Sequence, residues 1–272
     1  MKISKPDELK LDNFINESLG YIKTKDKPKY YMPNTKFRPG SGSIELISGI
    51  LVPESTESVL VLDKEYGSYL IDLVYKFAKL MLENIENPLF GFAERTLYEL
   101  ITLWFFIDKH PEVTKEQRDR VKVLLFAGHY KYVSSDRKEL AIYLRQRQSA
   151  LTAADIKCLG DRSISEKDYF NRLWSVAVTI KMGAGVTKYE SILSKYGDFT
   201  AVSGHQSMRV HANPLSMNET LNNTRIKLRR KLLLCLYNAQ ICDYLAAAKE
   251  SGASKMVKKH EDLRNSIKIE VG

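Results

Sequence analysis

Residues 165–185 read Ser165-Glu166-Lys167-Asp168-Tyr169-Phe170-Asn171-Arg172-Leu173-Trp174-Ser175-Val176-Ala177-Val178-Thr179-Ile180-Lys181-Met182-Gly183-Ala184-Gly185. Ser165-x-x-Asp168 has the form of a capping box, in which a hydroxyl accepts a bond from a free backbone N–H three residues on. Phe170, Leu173, Trp174, Ala177 and Ile180 then recur at three- and four-residue spacing, which gathers them on one helical face. Gly183 and Gly185 end or kink the helix. The residues that follow, up to Pro214, are dense in Tyr, Gly, Ser and His. The same helical period and the same start and stop signals recur along most of the chain, so the expected fold class is all-α, a multi-helix bundle.

Toward the N-terminus, Leu9, Leu11, Phe14, Ile15, Leu19 and Tyr21 predict a helix over 6–25. From 26 to 54 the period collapses among Pro28, Pro33, Pro39, Gly40, Gly42 and Pro53. A short irregular or hairpin segment is expected near residues 30–55, pairing Ile44-Glu45-Leu46-Ile47 with Ile50-Leu51-Val52. A second helix spans 63–85, with Leu70, Ile71, Val74, Phe77, Ala78 and Met81 as its stripe. A third, 90–109, is apolar nearly all round and is therefore expected at the centre of the bundle. Residues 114–148 form a basic helix with a break at Gly128-His129 or at Ser134-Ser135-Asp136, much of it a solvated face. Residues 152–163 are a loop or short helix. Toward the C-terminus, shorter helices are expected over 187–195 and 201–210. A long amphipathic one is capped by Ser216-x-x-Glu219 and ends before Gly252. The organisation expected is an N-terminal helix and arm (1–60), a helical core (61–250) and a charged, peripheral tail (251–272).

An apolar fraction of 44% with 8 Pro and 14 Gly in 272 residues excludes a disordered chain. The net charge of +9 suits nucleic acid or anionic lipid as a partner, and sets association rather than fold. Three cysteines, Cys158, Cys235 and Cys242, lack metal-site spacing and point to neither a disulfide framework nor zinc. No apolar signal core opens the sequence, and apolar runs such as 103–107 are too short to span a bilayer. A cytoplasmic protein without a membrane span, a metal or a cofactor is expected.

The residues with chemistry fall in two places. Arg95 and Glu99 lie one turn apart in the apolar third helix, where a charge must be paired. They either pair with each other or point together into a polar pocket. In the second place, helical spacing from Gly204 makes Ser207 and His211 neighbours on one face, and His205 and Arg209 on the next. An imidazole shuttles protons near neutral pH, a hydroxyl beside it is positioned or activated, and an arginine holds a phosphate bidentately. Against this stands the structural reading of each residue as a satisfied helical side chain. Phe37-Arg38-Pro39-Gly40-Ser41-Gly42-Ser43 lacks the Lys-Ser/Thr of a phosphate loop and is read as an ordinary loop.

Arg95-x-x-x-Glu99 in an apolar helix, followed by Trp174, Gly185, Tyr189, Tyr196 and Ser207-x-x-x-His211, resembles a family of all-helical bacterial proteins. Its members carry a domain of unknown function near phage-defence genes. The likeness covers roughly residues 60–245. It implies that Arg95, Glu99, Ser207 and His211 converge between helices, with Tyr189 and Tyr196 lining the same space. A more distant likeness is to the HEPN superfamily, helical bundles that include metal-independent ribonucleases. Their hallmark is an Arg, usually followed by a polar residue, with a His four to six positions on, and this chain departs from it, because Arg209 stands only two residues before His211.

Two functions are therefore expected in competition. One is an abortive-infection or toxin-like defence effector, a metal-independent ribonuclease with His211, Ser207, Arg95, Glu99, Arg209 and His205 at its centre. Tyr189, Tyr196, Arg225, Arg229 and Arg230 would bind its RNA. The other is a non-enzymatic helical module recognising nucleic acid, a partner protein or a small anionic ligand. A defence-system partner protein and a homo-oligomer belong to the same expectation.

Overall fold

Ser4 begins the first helix by accepting a hydrogen bond at Oγ from the Asp7 N–H, 3.3 Å away. In the computed structural model, which describes residues 2–25, 46–47, 50–51, 56–87, 89–101, 106–132, 141, 144–145, 147–183 and 224–270, nearly every element is a helix. They are α1 (Lys5–Lys25), α2 (Thr56–Glu83), α3 (Leu89–Glu99), α4 (Phe106–Lys109) and α5 (Lys115–Tyr132). After a 3-10 turn at Gln148–Ala150 come α6 (Ala153–Gly160), α7 (Glu166–Gly183), α8 (Thr224–Ala247) and α9 (Ala253–Ser266). Two antiparallel ribbons complete the described residues. One pairs β1 (Lys2–Ile3) with β4 (Ile269–Glu270), and the other pairs β2 (Leu46–Ile47) with β3 (Ile50–Leu51). The chain is an all-α multi-helix bundle, with a hairpin inside the segment expected to hold one.

The centre of the bundle is α8. Every residue from Arg230 to Cys242 is buried, so the helix presents no solvent face there, and it packs on α1, α2, α4 and α9. This corrects the expectation that residues 90–109 lie at the centre. Those residues comprise α3, a π-helical turn at 100–101 and α4, with 102–105 outside the described residues. The mistake has a physical cause. Arg230, Lys231, Asn238 and Gln240 give α8 the composition of an amphipathic helix, but each is buried because a specific partner meets it. Arg230 donates to the carbonyls of Ile85 and Asn87 at 2.9 and 3.1 Å. Lys231 reaches Glu8 and Asp12 of α1, both at 2.8 Å. Asn238 donates to Ser18 Oγ at 2.9 Å, and Gln240 donates to the Tyr244 hydroxyl. Buried polar groups are tolerated when they are bonded in this way.

Leu11, Phe14, Ile15, Leu19 and Ile22 of α1 are buried, each contributing ~1.5–3 kcal/mol relative to exposure. Leu9, expected in that stripe, is 62% exposed because it lies two residues from Leu11 and so on the opposite flank. Residues 251–270 are likewise not a peripheral tail. Ala253, Met256, His260 and Leu263 of α9 are buried, and α9 packs on both α1 and α8. Gly252 precedes it at φ 82°, a left-handed conformation that glycine adopts without strain. The Tyr21 hydroxyl donates to the Ser251 carbonyl at 3.0 Å and fastens the turn to α1.

Gly128 does not break α5, which continues to Tyr132. Its missing side chain makes room for Tyr169 of α7, whose hydroxyl donates to the Leu124 carbonyl. A Cβ at 128 would stand 2.4 Å from Tyr169 Cε1. The start of α7 is as read: the Ser165 hydroxyl accepts from the Asp168 N–H at 3.1 Å. A full capping box, Thr152 with Asp155, starts α6. The end of α5 is tied down as Lys131 donates to the Cys158 and Asp161 carbonyls and the Tyr132 hydroxyl donates to that of Ile164.

Candidate functional site

Of the residues singled out from the sequence, Tyr189, Tyr196, His205, Ser207, Arg209 and His211 lie outside the described residues, as does the side chain of Arg225. Arg95 and Glu99 are described. Their mutual pair forms, with Arg95 Nε 2.6 Å from Glu99 Oε1, and both side chains are part-exposed at 26% and 39%. The Arg95 guanidinium also stacks over Trp174 of α7, 5.7 Å from the ring centroid. Tyr98 stands beside Trp174 and Tyr237, at 6.0 and 6.5 Å between ring centroids. The result is an aromatic wall between α3, α7 and α8 with one guanidinium laid on it. Beneath lies Glu94, a buried carboxylate that the sequence reading did not single out, 3.5 Å from the Tyr237 hydroxyl. Its neighbours Arg95 and Glu99 drew attention because they are opposite charges at helical spacing; one turn either side of Glu94 the sequence has Phe90 and Tyr98, which carry no opposite charge.

Arg230, expected to bind substrate, instead joins α8 to the end of α2. Besides its two carbonyl bonds it stacks on Phe90 at 5.0 Å and is 5% exposed. Arg229, the next residue, is exposed. Helical geometry separates the two: a 100° step turns one guanidinium inward and the other out.

The basic stretch after residue 114 was expected as largely a solvated face, and the structure divides it. Arg118 donates to the Ile107 and His110 carbonyls, and Lys131 to the carbonyls closing α6. Arg120 grips Asp155 with two donors, Nε at 2.8 Å and Nη2 at 3.1 Å. Arg172 of α7 adds a bond from Nη2 to the same carboxylate at 3.2 Å. Asp155 has 0% exposure, while Arg120 and Arg172 are 29% and 38% exposed. Burial pushes the Asp155 carboxyl up, but bonds from Arg120 and from the Thr152 hydroxyl and N–H outweigh it and hold it at about 2. The carboxylate is thus charged at neutral pH and fixes both guanidiniums. Lys115, Lys157, Arg162 and Lys167 on the same three helices and their connections are exposed and enter no ion pair among the described residues.

No family model, curated protein or solved structure matches the chain. The likeness to the phage-defence domain and to HEPN bundles therefore rests on the quoted residues alone. Among the described residues no group of His, Cys, Asp and Glu is placed to hold a metal ion, and no helix is long and apolar enough to cross a membrane. Cys158, Cys235 and Cys242 are free and buried. Burial pushes the Cys242 thiol up to about 12, which makes it a packing group rather than a nucleophile.

Proposed function

We propose that the protein is a helical nucleic-acid-binding module that holds the phosphate backbone at the corner formed by α5, α6 and α7. The observation that carries this reading is where the charge lies. Residues 115–183 hold fourteen Lys and Arg against eight Asp and Glu, which is six of the nine excess positive charges in about a quarter of the chain. The structure uses Arg118, Arg120 and Lys131 internally, and leaves Lys115, Lys157, Arg162 and Lys167 at the surface. Unpaired exposed cations concentrated on one set of helices attract a polyanion without regard to sequence.

The test is fluorescence anisotropy with a labelled oligouridylate. Four phosphate contacts predict a log–log salt slope of about −3, so that affinity falls roughly fifty-fold between about 50 and about 200 mM salt. Absence of binding at the lower salt sinks the proposal. The same mixture in EDTA, run on a denaturing gel, addresses the ribonuclease reading. Cleavage that disappears in His211→Ala would replace the binding module by the nuclease, whereas intact RNA leaves recognition as the activity.

A further inference from the structure

The Arg120–Asp155–Arg172 cluster contains one more guanidinium than its carboxylate requires. Arg120 already meets Asp155 with two donors, and Thr152 gives it both a hydroxyl and an N–H at 2.7 and 3.0 Å. Arg172 joins this satisfied acid with a single bond from Nη2. Its Nε–H is buried with no acceptor among the described residues. Neither arginine has another carboxylate partner among the described residues, so two positive charges share one negative. The Nη1 groups of both make no bond to the described residues, and both side chains reach solvent.

We infer that Arg120 and Arg172 form a grip for a single phosphate, its inner edge fixed by Asp155 and its outer Nη1 edges offered to the ligand. The source of that phosphate, a nucleic-acid backbone, rests on the function proposed above; the grip itself rests on the geometry. A guanidinium whose plane is already held loses little freedom on binding, and its remaining N–H groups match phosphate oxygens in a way an ammonium does not. A purely structural triad would need Arg172 for rigidity only, and its outer donors would meet nothing but water.

Arg172→Gln is the discriminating variant, because it leaves the Arg120–Asp155 pair and the Thr152 capping box intact. It is expected to weaken oligouridylate binding about tenfold and to flatten the salt slope by about 1. Arg172→Lys should keep the slope but lose several-fold in affinity. Lys258→Gln, an exposed charge on α9, should change binding less than about twofold. A second arm titrates inorganic pyrophosphate while following the Arg172 Nε–H by NMR, a buried proton that serves as its own reporter even where Arg172→Gln folds poorly. The expected result is a saturable shift. Wild type that ignores RNA but shows this shift removes the nucleic-acid reading and keeps the grip. No shift, or an Arg172→Gln protein that binds RNA as wild type does, overturns the grip.

Discussion

Gly128→Ala separates local preference from packing in this fold. In an open helix interior, alanine is favoured over glycine by about 1 kcal/mol. Gly20 of α1 is such a place: it is exposed, and nothing lies within 4 Å of a Cβ built on it. At Gly128 a Cβ would meet Tyr169 Cε1 at 2.4 Å, Cδ1 at 3.1 Å and Cζ at 3.3 Å. Carbon atoms rest about 3.5–4.0 Å apart, so the ring must move by about 1 Å. Tyr169 is 1% exposed and packs against Tyr132 and Phe170, so it has nowhere to go without disturbing the α5–α7 contact. Overpacking of this kind costs about 1–3 kcal/mol, and displacing the hydroxyl from the Leu124 carbonyl adds about 1 more. Net of the helical gain, Gly128→Ala should lose about 2 kcal/mol, or roughly 4–8 °C in melting temperature. In a Tyr169→Leu background the ring is absent and the same substitution should become neutral or stabilising. Gly20→Ala should stabilise in either background. Urea melts of the four proteins of the Gly128–Tyr169 cycle and of Gly20→Ala in both backgrounds measure this, and a Gly128→Ala protein as stable as wild type would refute the packing argument.

Other outcomes are expected from the charged and titrating groups. Burial, with Arg264 adding to it, pushes His260 from 6.5 down to about 4. The unfolded chain therefore binds a proton that the folded chain refuses, and stability falls as pH drops from 6.5 toward 4, by up to about 3 kcal/mol. Urea melts at pH 7 and at about 4.5 should show this loss, and His260→Leu should remove most of it; equal slopes in the two proteins would contradict it. Asp155, held at about 2, contributes stability that is present above its ordinary 3.8 and is lost as pH falls through that interval. Asp155→Asn, which leaves two arginines facing a neutral amide, should cost about 3–5 kcal/mol in chemical denaturation, and a loss below 1 would deny the buried pair its role. Arg95→Met breaks a part-exposed ion pair and should cost less than about 1 kcal/mol while RNA affinity stays within twofold, both read on one preparation.

Helix-bearing segments were readable wherever apolar residues recur at helical period and caps flank them. Ser165-x-x-Asp168 and the start of α1 both follow that rule. The beginning of α2 was not: Val59-Leu60-Val61-Leu62 is a continuous apolar run, half of it β-branched valine, carries no helical period, and hid the start at Thr56. The central place of α8 was hidden by Arg230 and Lys231, whose burial depends on carbonyls and carboxylates more than 140 residues away. Gly128 reads as a breaker until Tyr169, a long-range neighbour, is known. The site divides in the same way. The Arg95–Glu99 pair is local and legible from its spacing. Arg120, Asp155 and Arg172 come from three helices, and no pattern along the chain links them.

The first helix leans on the last two. Lys231 clamps Glu8 and Asp12, Asn238 clamps Ser18, Lys259 meets Glu17, the Lys268 N–H reaches Asp7, and β1 lies against β4. A ribosome makes α1 and α2, which pack on each other, well before α8 and α9, so for most of synthesis the part of the Leu11, Phe14, Ile15 and Ile22 face that the two later helices bury lacks its cover. Closing so large a loop is slow, and a greasy segment exposed for that long is what chaperones bind. The seams that α1 makes with α8 and α9 can close only after both of those helices have been made, however early α1 and α2 pair.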